Sequence, residues 1–317
     1  MKKLTRSEAA EFLKQHDNFC ILSHHRPDGD TVGSSAALCR GLRQLGKTAY
    51  VLYNEEVTPR FQWLHEGLTK REAEEGDTIV SVDVASPGVL PGTFVLLKDK
   101  IALRMDHHGF GASFTERELV DPDSASCAEL VWDVLEEMGA QMDEKIGEAV
   151  YVGASTDTGC FRFSNTNAHT FATAAKCAQA GTRIYELNQT LFETNSLGRL
   201  QMQAWIVEHL QILRSGKIAV CAIPRSVEEA IGVTEDDMDN ISSFPRTVAG
   251  VCMAATLREN RDGSIRLSVR SVPGYDAALV SQRFGGGGHV CAAGATLRVS
   301  LEDAARAVTD VMLEQQA

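Results

Sequence analysis

No run of apolar residues in this chain approaches the roughly 20 that a membrane-spanning helix requires. The charged opening stretch (Lys2, Lys3, Arg6, Glu8, Glu11) holds no apolar core of a secretion signal. The expected location is therefore the cytoplasm, without a membrane partner. The eight cysteines show no CxxC or other metal-ligand spacing. Most fall inside apolar strand or helix patterns and read as small buried hydrophobes in a reducing compartment. Positive charge is scarce as well: 31 Lys and Arg face 43 Asp and Glu, a net charge of −12. That argues against a broad basic face that tracks long DNA or RNA. It leaves room for a small phosphorylated ligand gripped by a few arginines, and acids gathered at a metal centre would themselves push the balance negative. There is no internal repeat and no Pro/Ser-rich linker. At 317 residues the chain is long enough for two domains, each with its own core.

Phe19-Cys20-Ile21-Leu22 is a short continuous apolar run, read as a buried strand. Small and apolar residues at helical spacing (Val32, Ala36, Cys39, Leu42, Leu45) predict a helix over 31–45. Further strands are expected over 47–53, 77–82 and 101–105, with another short apolar run at 93–97. Strands separated by helical patterns suggest βαβ units and a parallel sheet. Beyond them, Ser124 or Ser126 opens a helix to Met138, with Glu129 three residues after Ser126 as in a capping box. A helix over 143–155 breaks at Thr156-Asp157-Thr158-Gly159, and another runs from Asn167 until Gly181 stops it.

Residues 185–213 are helix-compatible and read as a connector. The second domain offers a strand over 218–223 and a hairpin of 249–257 with 264–270, turned at Asn260-Arg261-Asp262-Gly263. A helix over 275–284 is interrupted by Gly285-Gly286-Gly287-Gly288-His289. A strand over 295–299 and a closing helix over 301–315 follow. The expected class is α/β: a doubly wound, mainly parallel sheet over 1–190, a helical connector over 191–215, and a smaller α+β domain over 216–317.

The chemistry gathers at the ends of apolar elements. Ser23-His24-His25-Arg26-Pro27-Asp28-Gly29-Asp30 is a tight strand-to-helix loop bent by Pro27 and Gly29, where open α/β sheets place their ligands. Gly29 is expected to let alternate carboxylates face different ions. Asp83 follows a second strand, Asp106-His107-His108 a third, and Asp157 a helix. In a parallel sheet the first three groups converge on one edge. So many acids cannot share one edge uncompensated, and two divalent cations would relieve them. Imidazole with carboxylate suits Mn²⁺, Mg²⁺, Zn²⁺ or Fe²⁺.

His24-xxx-Asp28-x-Asp30, Asp83, Asp106-His107-His108 and Asp157, in this order, resemble the four motifs of the DHH phosphoesterase superfamily. Ser268-Val269-Arg270-Ser271 with Gly285-Gly286-Gly287-Gly288-His289-xx-Ala292-Ala293-Gly294 resembles its DHHA1 partner domain. The compact two-domain layout is most similar to the bacterial nanoRNase/pAp phosphatase subfamily. The resemblance implies that His24, Asp28 and Asp83 hold one Mn²⁺, and that Asp30, Asp83, His107 and Asp157 hold a second, with Mg²⁺ or Co²⁺ as substitutes. Asp106 would orient a ligand histidine and His108 would face the phosphate. Arg270, Ser271, Gly286, Gly287, Gly288 and His289 would bind the substrate, the glycines by close backbone approach and the arginine by a bidentate grip.

The implied activity is Mn²⁺-dependent hydrolysis that takes mononucleotides from short oligoribonucleotides. It would also convert 3′-phosphoadenosine 5′-phosphate (pAp) to AMP. Linear or cyclic dinucleotides (pApA, pGpG, c-di-AMP) are the alternative substrates. An inorganic pyrophosphatase, a longer DNA exonuclease of the RecJ type and a non-catalytic nucleotide sensor fit less well. The oligomeric state stays open, a homodimer included. His25 has no role assigned. Arg162, Arg246 and Arg258 are further phosphate candidates. Phe61, Trp63 and His65 are candidates for base stacking, with packing the expected role of the first two. His16, His169 and His209 read as structural or solvated.

Overall fold

The computed structural model describes residues 2–109, 113–238 and 240–315. The chain divides into two compact units, Met1–Thr194 and Asn195–Ala317. In the first, seven strands form one sheet: β1 (Lys2–Lys3), β2 (Phe19–Leu22), β3 (Ala49–Leu52), β4 (Thr69–Lys70), β5 (Thr78–Val82), β6 (Ile101–Asp106) and β7 (Arg117–Val120). Their order is β1-β7-β6-β5-β2-β3-β4, and every pairing is parallel. The apolar runs of β2, β3 and β5 are buried on both faces, as a parallel sheet requires. β7 was not legible: Arg117-Glu118-Leu119-Val120 carries too little apolar pattern. The run at 93–97 is no strand; Val95–Lys100 is a 3₁₀ segment.

The helices of this unit are α1 (Arg6–Gln15), α2 (Gly29–Gln44), α3 (Pro59–Gln62), α4 (Cys127–Met138), α5 (Glu144–Asp157), α6 (Ala168–Gln179) and α7 (Ile184–Asn188). Val32, Ala36 and Leu42 of α2, with residues of α1, α4 and α5, pack on Phe19, Ile21, Val80 and Met105. Cys20, Leu22, Tyr50 and Ile79 face the other way, onto Val84, Leu90 and Phe94. Two helix starts differ in detail from the sequence expectation. Asp28, not a residue of the helix, caps α2 by accepting the Asp30 and Thr31 amides at 3.1 Å. Ser126 caps α4 from outside at the Glu129 amide, 3.3 Å, but the Glu129 carboxyl turns to Ser124 and Ala125, so the reciprocal half of a capping box does not form.

The second unit opens with α8 (Leu197–His209). Its mixed sheet comprises β8 (Gln211–Leu213), β9 (Ile218–Ile223), β10 (Met253–Glu259), β11 (Ile265–Ser271), β12 (Gly287–His289) and β13 (Ala292–Leu297), in the order β12-β13-β11-β10-β9-β8. Only β9 and β10 pair in parallel. The remaining helices are α9 (Arg225–Ile231), α10 (Glu235–Met238), α11 (Ala277–Gln282) and α12 (Leu301–Glu314). Ile218, Ala255, Leu267 and Val269 meet Val280 of α11 and Val308 and Met312 of α12 on one face. On the other, Cys221 and Ile223 meet Met202 and Ile206 of α8. The four-glycine stretch ends in an edge strand. β13 begins at Ala292, earlier than its composition suggested, because it hydrogen-bonds back to that strand.

Candidate metal centre

Three neighbouring strands end on polar side chains at one edge. β2 leads through Ser23 to His24, β5 delivers Asp83, and β6 ends at Asp106, followed by His107 and His108. Because β6, β5 and β2 are adjacent and parallel, these groups converge as expected. This edge is also the switch point of the sheet, with β3 on one side of β2 and β5 on the other. Asp157 arrives from elsewhere. It is the last residue of α5, which runs two residues further than the sequence suggests and packs along α2.

His107 Nε2 lies 3.4 Å from Asp157 Oδ2, 3.7 Å from Asp83 Oδ1 and 3.8 Å from Asp30 Oδ2. His24 Nε2 lies 3.6 Å from Asp83 Oδ2. At 3.4–3.8 Å these gaps are longer than ordinary hydrogen bonds. They are the spacing of ligands that share one cation through bonds of about 2.1 Å. Three sets have ligand atoms within 4.8 Å of one another: His24, Asp28 and Asp83; Asp30, His107 and Asp157; and Asp83, His107 and His108. Asp83 and His107 thus link the sets.

The ring nitrogens are sorted by their backbone partners. His24 Nδ1 is 2.7 Å from the His25 carbonyl and His107 Nδ1 is 3.2 Å from the Ser124 carbonyl. A carbonyl only accepts, so each Nδ1 carries hydrogen and the neutral ring offers Nε2 to the carboxylate side. His108 differs, with its Nδ1 2.7 Å from Asp106 Oδ1. Asp106 also accepts the His107 amide at 2.8 Å and the His108 amide at 3.2 Å, and pairs with Arg104. Arg104 in turn lies 3.6 Å from Glu118 on β7. Asp106 is therefore spent on support, and nothing in the sequence pattern pointed to Arg104 or Glu118.

Asp30 accepts the Cys127 amide at 2.7 Å and the Ala128 amide at 2.9 Å, both from the first turn of α4. The Thr31 hydroxyl donates to Asp83 Oδ2 at 2.6 Å, while Asp83 Oδ1 is buried without a hydrogen-bond partner among the described residues. Asp83 also holds φ at +56°, a strained conformation for a residue with a Cβ.

Charge is concentrated here beyond what the protein's own groups balance. Burial, then repulsion by Asp83 and Asp157, lifts Asp30 well above the carboxylate range. Burial and the nearby Asp28 and Asp83 bring Asp157 up to about 7, against the pull of His107. Burial disfavours charge on His24, yet Asp83 and Asp28 raise it to about 9, and Asp157, Asp30 and Asp83 likewise raise His107 to about 10. Asp83 itself is held low by His24 and His108 against burial. An orphaned buried carboxylate oxygen, two oriented imidazoles and mutually repelling acids form a donor set that fits divalent cations.

Some other expectations need correction and others hold. Gly29 has ordinary backbone geometry, and its lack of a side chain instead makes room for Thr156. The amide and ring Nδ1 of His25 both meet the Val89 carbonyl, so His25 pins the loop. His65 is buried with Nε2 2.8 Å from the Ser35 hydroxyl, a core histidine with no face for stacking; Phe61 is buried too, and the Trp63 indole donates to the Arg60 carbonyl. Arg258 is committed to Glu228 and Glu235, which removes it as a phosphate grip. His16 and His209 stack on Phe12 and Trp205, and His169 pairs with Asp133 at 3.1 Å. Arg162 bonds back to the Gly159 carbonyl, and Arg246 is half-buried.

In the second unit, register decides which residues share a face. Arg270 pairs with Ala292, and Ala292 with His289, so the arginine and the histidine flank a small residue on one face. Gly287 lies on that face as well, opposite Gly294. Ser271 does not join them. It is buried on the opposite face with its hydroxyl 3.0 Å from the Tyr275 and Val290 carbonyls. Gly286 and Gly288 are required by the fold itself: a Cβ would come within 2.1 Å of the Gly294 carbonyl and 2.6 Å of the Ala292 carbonyl.

A family model described as the DHH family, N-terminal domain, matches residues 18–154, and one described as the DHHA1 domain matches residues 215–314. The chain is 32% identical to the bifunctional oligoribonuclease and PAP phosphatase NrnA of Thermus thermophilus, over 96% of this chain and 93% of that protein. The chain belongs to the DHH family. A second relative, from Bacillus subtilis and of the same printed name, is 24% identical over 96% of this chain and 97% of its own length. The fold of this DHH-family chain recurs in an exopolyphosphatase-related protein from Bacteroides fragilis. There the TM-score is 0.87 at 20% identity, over 98% of this chain and 95% of that one. No helix among the described residues is long and apolar enough to cross a membrane.

Proposed function

We propose that this protein hydrolyses phosphoester bonds in short nucleotides, releasing mononucleotides from short oligoribonucleotides and the 3′-phosphate from pAp. The observation that carries the reading is the pair of ligand sets, His24/Asp28/Asp83 and Asp30/His107/Asp157, joined across the 3.7 Å between Asp83 and His107. Relatives that align end to end carry those activities in their names.

His24, Asp28 and Asp83 are the proposed ligands of one Mn²⁺, and Asp30, Asp83, His107 and Asp157 of the other. Mg²⁺ and Co²⁺ suit the same donors. Bound there, the cations lower the pKa of a water and offset charge on the reacting phosphate. The protein's part is to hold the donors still. Backbone carbonyls fix the tautomers of His24 and His107, and the α4 amides fix Asp30. Asp106 keeps the proton of His108 on Nδ1, so Nε2 is the nitrogen proposed to meet the phosphate or the leaving oxygen. Asp106 and Asp83 also raise the pKa of His108 against its burial, which favours its acting as a donor. Arg270, His289, Gly287 and the backbone around Gly286 and Gly288 are the proposed substrate-binding groups of the second unit.

The test is a side-by-side measurement, in millimolar Mn²⁺, of product release from pAp, pApA and a five-nucleotide RNA. Release of phosphate from pAp and mononucleotide from the RNA is expected. Turnover of pApA alone would move the function to dinucleotide signalling, and no turnover of any of the three would remove the reading.

A further inference from the structure

Residues 124–128, at the start of α4, meet the candidate centre through backbone groups. The Ser124 carbonyl orients His107 Nδ1 at 3.2 Å. The Cys127 and Ala128 amides hold the two oxygens of Asp30 at 2.7 and 2.9 Å. The Ala125 carbonyl accepts from Asn165 Nδ2 at 3.1 Å, and the same amide group donates to the Asp157 carbonyl at 3.2 Å. Two of the proposed ligands, His107 and Asp30, therefore share one strap of backbone, and Asn165 ties the main chain at Asp157 to it.

The strap needs its own anchor, and Glu129 is placed to provide it. Its side chain is fully buried. Instead of closing the capping box on Ser126, its Oε2 lies 3.3 Å from the Ser124 hydroxyl and 3.4 Å from the Ala125 amide. The Ser124 hydroxyl is also 3.0 Å from the Ser126 carbonyl, so the segment closes on itself around one carboxyl. A buried carboxyl is an expensive way to satisfy an amide and a hydroxyl. Burial raises its pKa, which is consistent with a group kept inside as a hydrogen-bonding fixture.

We infer that Glu129 is a positioning residue for the metal centre, acting through Ser124 and Ala125 on the strap that orients His107 and Asp30. The inference rests on the proposed reading of those residues as ligands. Groups that orient metal ligands from behind alter affinity by about 10–100-fold when removed, and a residue that only filled space would not.

The test is Mn²⁺ titration of the full chain, followed calorimetrically, with thermal melting alongside. Glu129→Met, similar in volume but unable to accept from Ala125, is expected to weaken Mn²⁺ binding by about 10–100-fold. Glu129→Gln, which keeps an acceptor oxygen, is expected to recover most of the loss. Should Glu129→Met fail to fold, Ser124→Ala keeps the carbonyl to His107 and removes the hydroxyl link; it is expected to weaken Mn²⁺ binding several-fold, and unchanged binding overturns the inference. A lower melting temperature with Mn²⁺ affinity unchanged in Glu129→Met overturns it too. A wild-type chain that binds no Mn²⁺ would remove the functional reading, and the inference with it.

Discussion

Gly29 and Thr156 sit so close that a Cβ on Gly29 would fall 2.4 Å from the Thr156 hydroxyl oxygen. One turn along α2, a Cβ on Gly33 would fall 2.3 Å from the Ala149 carbonyl, and a Cβ on Gly153 would fall 2.8 Å from Asp30 Oδ1. Bare glycine surfaces thus let α2 and α5 approach until Asp157, at the end of one, stands beside Asp28 and Asp30, at the start of the other. Gly29→Ala is expected to destabilise the fold by about 1–3 kcal/mol through overpacking and to weaken Mn²⁺ binding by displacing Asp157. Adding Thr156→Ala removes the two nearest atoms and should restore part of both. Gly92→Ala, with nothing within 4 Å, is the neutral control. Thermal melts and Mn²⁺ titrations read the series; a Gly29→Ala chain that melts and binds like Gly92→Ala would show the helix contact to be slack.

His65 gives a pH dependence with a definite sign. Burial, assisted by Arg40, lowers its pKa from 6.5 to about 4 in the folded chain. Between those values the unfolded chain binds a proton that the folded chain refuses, so stability falls as pH drops through this window. The loss approaches on the order of 3 kcal/mol at its lower end. His65→Gln cannot titrate. The stability gap between wild type and His65→Gln, measured by urea unfolding, is therefore expected to move in the variant's favour from pH 7 to pH 4.5. A gap that stays constant with pH would mean that His65 titrates normally.

The Arg258 guanidinium is bracketed by Glu228, itself almost fully buried, and by the exposed Glu235. Removing Glu228 leaves Arg258 with the exposed Glu235 alone in a largely buried setting. Glu228→Ala is therefore expected to destabilise the second unit, by less than the roughly 3–5 kcal/mol that a fully stranded buried charge costs. Because Arg258 is a structural cation here, the KM for pAp should stay within about twofold, well under the tenfold that 1.4 kcal/mol represents. A selective rise in KM without loss of stability would return Arg258 to the list of phosphate-binding residues.

The proposed ligands His24, Asp28, Asp30, Asp83 and His107, with Asp106 and His108 beside them, stood out because their signal is local. Each follows an apolar run, and strand ends of a parallel sheet share an edge. What holds them was not legible, because it is long-range. The α4 amides on Asp30 and the Ser124 carbonyl on His107 join residues far apart in sequence through backbone groups that every residue carries, and Asn165 reaches the Ala125 carbonyl from 40 residues away. The same reason hid the true work of Gly29, which is to be small beside Thr156. His65, Arg258 and Ser271 misled for the opposite reason: polar types that suit a ligand are equally able to satisfy one another inside a core. The sheet of the second unit shows the limit most plainly. Gly285 to Gly288 read as a break after a helix, and pairing with Ala292–Gly294 turned its last residues into a strand.

The proposed hydrolysis runs on one dinuclear centre shared through Asp83. Its most direct test compares phosphate release from pAp by wild type and Asp83→Ala at saturating Mn²⁺, with bound metal counted in each. Wild type is expected to bind two Mn²⁺ per chain and turn over, while Asp83→Ala loses at least about 10³-fold in rate, roughly 4 kcal/mol of barrier, with metal binding impaired. An Asp83→Ala chain within about tenfold of wild type, close to 1.4 kcal/mol, would contradict it.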